Sequence, residues 1–135
     1  MAAKKEVTNK TGRRKTSVAR ASLSKGSGKL IINNQDLDDY FTSSVQALKV
    51  REPLVISDTE GKHDIKVRVF GGGINSQTEA IRQAIARALV EIMGEGIRKT
   101  FLDYDRSLLV SDTRFKEMKK PNNSHARAKR QKSYR

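Results

Sequence analysis

Asp64-Ile65-Lys66-Val67-Arg68-Val69-Phe70, followed at once by Gly71-Gly72-Gly73-Ile74-Asn75 and Ser76-Gln77-Thr78-Glu79, decides the architecture of this chain. The first seven residues alternate. Ile65, Val67 and Val69 share one face and Lys66 and Arg68 the other, which is the period of a half-buried strand. The glycine triplet then turns the chain. Ser76 and Glu79 have the S-x-x-E spacing of a capping box, in which side chains satisfy the free amides of a helix start, so a helix is expected to begin there. Its apolar residues Ala80, Ile81, Ala84, Ile85, Ala88, Leu89 and Ile92 recur at three- and four-residue intervals, with Arg82, Gln83, Arg87 and Glu91 off the stripe. Gly94 and Gly96 mark the end. The strand and the helix each hide one face, and each can cover the other.

Upstream, Val18, Arg20 and Ser22 alternate with Ala19, Ala21 and Leu23, and a Gly26-Ser27-Gly28 turn leads into Leu30-Ile31-Ile32, the pattern of a hairpin. A short helix is expected around Leu37 to Phe41 and another from Val45 to Val50, stopped ahead of Pro53. Downstream, Ile97 to Leu102 suits a further helical turn or two, and Leu108-Leu109-Val110 a last short strand. Strands, a main helix after the strongest strand, then helix and strand favour an α+β fold: a single small domain, one sheet backed by helices.

The chain has 135 residues, enough for one modest core, and a net charge of +13. Such a surface attracts polyanions, nucleic acid first among them. The charge is segregated. Met1 to Lys29 carries nine basic residues against Glu6, Arg114 to Arg135 nine against Glu117, and Leu30 to Thr113 is slightly acidic with 10 basic and 13 acidic residues. The organisation expected is a basic flexible arm over 1–10, a globular RNA-binding domain over 11–113 and an extended basic tail over 114–135. The tail has too little apolar surface to fold alone, and Lys119 to Arg135 could reach roughly 55 Å when extended. Cysteine is absent, which excludes disulfides, thiolate metal sites and cysteine nucleophiles. No apolar run approaches the length of a membrane span, and none forms a signal core at the N-terminus.

Enzymatic motifs fail on inspection. Gly71 and Gly73 begin a G-x-G-x-x-G fingerprint, but Ser76 stands at its third glycine and Glu91 falls within the same helix. Gly26-Ser27-Gly28-Lys29 lacks the first glycine and the Ser/Thr of a phosphate loop. His63 and His125 are isolated, and Asp103, Asp105 and Asp112 have no catalytic companions, so neither a metal, a cofactor nor a reaction is indicated. Aromatic residues do not interleave the basic stretches, which favours phosphate and shape recognition of folded RNA over base stacking. Exposed amides of the Gly71 to Gly73 turn could meet an RNA phosphate, or could simply make a tight turn. A structural RNA-binding subunit, a free-standing RNA chaperone and a nucleotide-binding enzyme remain the three readings from residues alone.

Three motifs add a resemblance. Thr11-Gly-Arg-Arg-Lys-Thr-Ser-Val-Ala-Arg20, Gly71-Gly-Gly-Ile-Asn-Ser-Gln77 running into Glu79-Ala-Ile-Arg-Gln-Ala-Ile-Ala-Arg-Ala-Leu89, and Arg130-Gln-Lys-Ser-Tyr-Arg135 resemble the small-subunit ribosomal protein nine family, in the family's order and over nearly the whole chain. The resemblance implies a domain similar to the second domain of ribosomal protein five. It implies docking on the small-subunit head against ribosomal RNA and neighbouring head proteins, without a membrane, in a cytoplasmic ribosome, with an organellar one left open. It also implies a tail reaching the peptidyl-site transfer RNA, with Arg135 on an anticodon-loop phosphate and Lys132, Ser133 and Tyr134 beside it. The ribosomal-RNA residues implied are Arg13, Arg14, Lys15, Arg20, Gly71, Gly72, Gly73, Gln77, Arg82, Lys119, Lys120, Arg127, Lys129 and Arg130. Tyr134 replaces the lysine common in bacterial members, and the ending is similar to that of archaeal and eukaryotic cytosolic ones.

Overall fold

The alternating segment becomes the centre of a sheet. In the computed structural model, which describes residues 7–135, the strands are β1 (Thr8–Arg14), β2 (Ser17–Lys25), β3 (Leu30–Ile32), β4 (Gln35–Asp36) and β5 (His63–Phe70). Their spatial order is β1-β2-β5-β3-β4, so β5 lies between β2, to which it is antiparallel, and β3, to which it is parallel. The helices are α1 (Leu37–Tyr40), α2 (Ser44–Ile56), α3 (Ile74–Met93) and α4 (Glu95–Tyr104), followed by a 3-10 turn at Arg106–Leu108. The result is a single small α+β domain.

Ile65, Val67 and Val69 of β5 and Ala19, Ala21 and Leu23 of β2 are buried on one side of the sheet, beneath the Ala80, Ile81, Ala84, Ile85, Ala88 and Leu89 stripe of α3. Small residues let α3 lie close. At Gly12 of β1 the helix backbone and the strand backbone touch, and no side chain separates them. α2 packs along α3, and α4 returns to place Phe101 in the core.

Several expectations are corrected. β2 and β3 do not form a hairpin: the Gly26 to Gly28 turn crosses the end of β5, where the Asp64 carboxylate accepts the amides of Ser27, Gly28 and Lys29 at 2.8, 3.1 and 3.2 Å. β2 instead pairs with β1 through the two-residue turn Lys15-Thr16, with Lys15 at φ 52°. Thr8 to Lys10, expected in the arm, are therefore strand; residues 1–6 of that arm lie outside the described residues. α2 runs on through Pro53, whose missing amide costs only the bond to the carbonyl of exposed Lys49, and the helix closes on the Pro53 carbonyl, which accepts the Ser57 amide at 3.2 Å and Ser57 Oγ at 2.8 Å.

α3 begins two residues early. Gly73 is its N-cap and Ser76 supports it from within the first turn, accepting the Gly73 amide at 3.0 Å, while Glu79 turns to Arg14. Ile92 is 41% exposed, whereas Gln83, expected off the stripe, is only 3% exposed. Gly96 lies inside α4, and Leu108 to Val110 form no strand, because the Asp105 carboxylate captures the Ser107 amide at 2.8 Å and winds the 3-10 turn.

Candidate nucleic-acid interface

The helices cover one side of the sheet and leave the other open. Alternation along β1, β2 and β5 puts Arg13, Arg20, Lys66 and Arg68 on that open side, with Phe70, 57% exposed, at the same end as Arg13. The register sets these groups in rows: Thr11, Arg20 and Arg68 across the strands, then Arg13, Val18 and Phe70. No carboxylate of the described residues pairs with these four cations. They are spaced as a cationic plate on a rigid support, and no ion pair among the described residues quenches their field.

At one end of the plate the glycine turn meets the β1–β2 turn. Gly71 and Gly72 have φ of 77° and 62°, a region that L side chains seldom enter. The Gly71 carbonyl accepts from Ser17 Oγ at 2.9 Å and from Gln77 Nε2 at 3.0 Å, and Gln77 Oε1 accepts from Tyr40 at 2.8 Å. Gln77 thus holds the turn in shape. Lys15, Thr16, Gly72, Gly73, Ile74 and Asn75 line an open concavity at the start of α3, where helix amides favour negative charge.

Two expected RNA ligands turn elsewhere. Arg14 Nε donates to Glu79 at 2.6 Å and its Nη1 lies 3.2 Å from Asp112; Arg82 Nη1 lies 2.9 Å from Asp105, with its Nε on Glu52. Both side chains are largely buried, and they tie β1, α2, α3 and the end of α4 together. The carboxylates respond. Burial would raise Asp105, but the Ser107 hydroxyl and amide and the Arg82 guanidinium outweigh it and lower its pKa. Hydrogen bonds from the Arg114 side chain and amide hold Asp112 well below the usual carboxylate range.

The tail leaves the body at Arg114. Within it Arg127 pairs with Glu117 at 2.8 Å, Lys120 lies 4.0 Å from the same carboxylate, and Asn123 bridges Lys129 around a small turn. Lys119, Lys129, Arg130, Lys132 and Arg135 are exposed without carboxylate partners among the described residues, and Ser133 and Tyr134, the latter 97% exposed, complete the free end. Lys66, Arg68 and Phe70 were not among the expected ligands, although the alternation that defines β5 already set the two cations opposite the core. Among the described residues no group of three potential ligands could hold a metal ion, and no helix is long and apolar enough to cross a membrane.

A family described as ribosomal protein S9/S16 matches residues 12–135 of the chain. Small ribosomal subunit protein uS9 of Halobacterium salinarum is 47% identical over 132 residues, covering 96% of this chain and 99% of that protein. The proteins of the same name from Thermoplasma acidophilum and Christiangramia forsetii are 46% and 44% identical, covering 93% and 92% of this chain and 98% and 94% of theirs.

Proposed function

Because the chain belongs to the ribosomal protein S9/S16 family, and is therefore a structural constituent of the small ribosomal subunit and not an enzyme, we propose that it docks on ribosomal RNA of the subunit head through its open sheet face and glycine turn, and that its tail touches the peptidyl-site transfer RNA. The observation that carries this reading is the plate of Arg13, Arg20, Lys66 and Arg68, which no carboxylate among the described residues pairs. Strands fix the spacing of these cations, so little side-chain-bearing backbone has to be ordered when a phosphate backbone lies across them. Lys15 and the Gly72 amide extend the plate at the turn, and Phe70 offers a flat apolar surface to a ribose or base. Arg14 and Arg82 serve the reading indirectly, by holding the support rigid.

The tail supplies reach. Lys119, Lys120, Arg127, Lys129 and Arg130 run between RNA helices as phosphate counter-charges, and Lys132, Ser133, Tyr134 and Arg135 meet the anticodon stem-loop, Arg135 as the terminal fork on a phosphate. The ribosome concerned is the cytoplasmic one, and the partners beside RNA are neighbouring head proteins. The test is removal of Tyr134 and Arg135. Small subunits should assemble normally and release peptidyl-site transfer RNA about five- to tenfold faster, the loss of one charge-assisted contact. Unchanged release would refute the tail contact.

A further inference from the structure

A chain of 21 residues beyond Arg114 could leave the body as a loose tether, but its root is held at successive positions. Arg87 projects from α3 with all three guanidinium nitrogens engaged: Nε donates to the Leu109 carbonyl at 3.0 Å, Nη2 to Ser111 Oγ at 3.0 Å and Nη1 to the Thr11 carbonyl at 2.9 Å. One planar fork therefore joins the last stretch of the body to the outer edge of β1. One turn earlier on α3, Gln83 Oε1 accepts the Arg13 amide at 2.9 Å, and Asp112 receives Arg14 and Arg114 from either side. Past Arg114 the described residues of the tail make no hydrogen bond or ion pair to the body.

We propose that Arg87 is a positioning residue for the tail: its fork, with Ser111 and Asp112, forms a socket that fixes where the tail starts and which way it points. The inference rests on the tail reading above, and it concerns how that contact is made instead of whether it is made. Lysine cannot replace the fork, because an ammonium on one flexible stem cannot hold two carbonyls and a hydroxyl in a plane. Opening the socket frees the chain back to Leu109, since Leu108 stays buried in the core, and lengthens the tether by about five residues. Chain length alone then lowers the effective concentration of Arg135 at its target by roughly 1.4-fold, and loss of direction lowers it further.

The experiment measures release of transfer RNA from the peptidyl site of small subunits carrying the full chain, the chain lacking Lys132 to Arg135, Arg87→Met, Arg87→Lys and Ser111→Gly, with each substitution also made in the truncated chain. Ser111→Gly removes one prong of the socket without touching the core, so it serves if Arg87→Met subunits fail to assemble. The expected result is at least twofold faster release with Arg87→Met or Ser111→Gly, no rescue by Arg87→Lys, and no further change when either is added to the truncation. Faster release that persists in the truncated background would show a merely structural role and overturn the proposal. Normal release by both substitutions, with truncation still accelerating it, would overturn the socket and leave the tail contact standing. If truncation itself changes nothing, the tail reading fails and the socket with it.

Discussion

Gly12 of β1 and Ala80 of α3 meet backbone to backbone: a Cβ on Gly12 would lie 2.0 Å from the Ala80 carbonyl oxygen and 2.6 Å from the Ala84 nitrogen. Real side-chain carbons do not approach backbone so closely, so any other residue pushes the main helix off the sheet. Gly12→Ala should destabilise the domain by about 3 kcal/mol or more, as overpacking of a dense interior does. A thermal melt should show a loss on the order of 10 °C. An unchanged melt would mean that α3 does not sit where it is described.

The plate and the buried pairs should separate cleanly in binding experiments. Arg20→Ala, Lys66→Ala and Arg68→Ala should each weaken binding to small-subunit ribosomal RNA and reduce the dependence of log affinity on log salt by about 0.7 to 0.9, one released counterion apiece. Their melting temperatures should barely move. Arg82→Ala should do the reverse, since it leaves Glu52 and Asp105 without their partner. Filter binding at several salt concentrations, paired with melts, distinguishes the two classes; a salt slope altered by Arg82→Ala and not by Arg68→Ala would contradict the assignment.

Acid should loosen the support before the core. Asp105 and Asp112 have pKa values below their ordinary ones, so the stabilisation they give is fully present above the unfolded value of about 4 and is lost as pH falls through their folded values. The melting temperature should be level from pH 7 to 5 and fall below pH 4. Asp105→Asn should lower it at pH 7 and flatten the acid fall. An acid limb unchanged in Asp105→Asn would assign the effect to other carboxylates.

Much of this was legible in the chain itself. β5 and α3 carry their periods openly because each buries a single face, and the segregation of charge announced a polyanion partner. β1 was not legible. Its buried position is Gly12, so Thr8 to Arg14 shows no apolar alternation and looks like part of a charged arm. The strand order escaped for a different reason: the Gly26 to Gly28 turn looks like a hairpin locally, and only the later arrival of β5 between the two strands decides otherwise. α2 hides Ala47, Val50, Pro53 and Leu54 yet leaves Val45, Leu48 and Val55 exposed, so apolar residues ring the helix and blur its period. Arg14 and Arg82 show a limit of reading charge without geometry. For a cation in a basic motif the sequence does not show the carboxylate partner, 65 residues away for Arg14, that the fold brings to it.

Ultraviolet crosslinking of intact small subunits, followed by mapping of the nucleotide-bearing peptides of this chain, reports whether the open face of the sheet lies on RNA. Adducts are expected on peptides from Ser17–Lys25 and His63–Phe70, with Phe70 among the modified residues, and should be lost in the Arg20→Ala, Lys66→Ala, Arg68→Ala triple variant. Adducts confined to α2 and α4, with β2 and β5 unmodified, would place RNA on the helical side and contradict it.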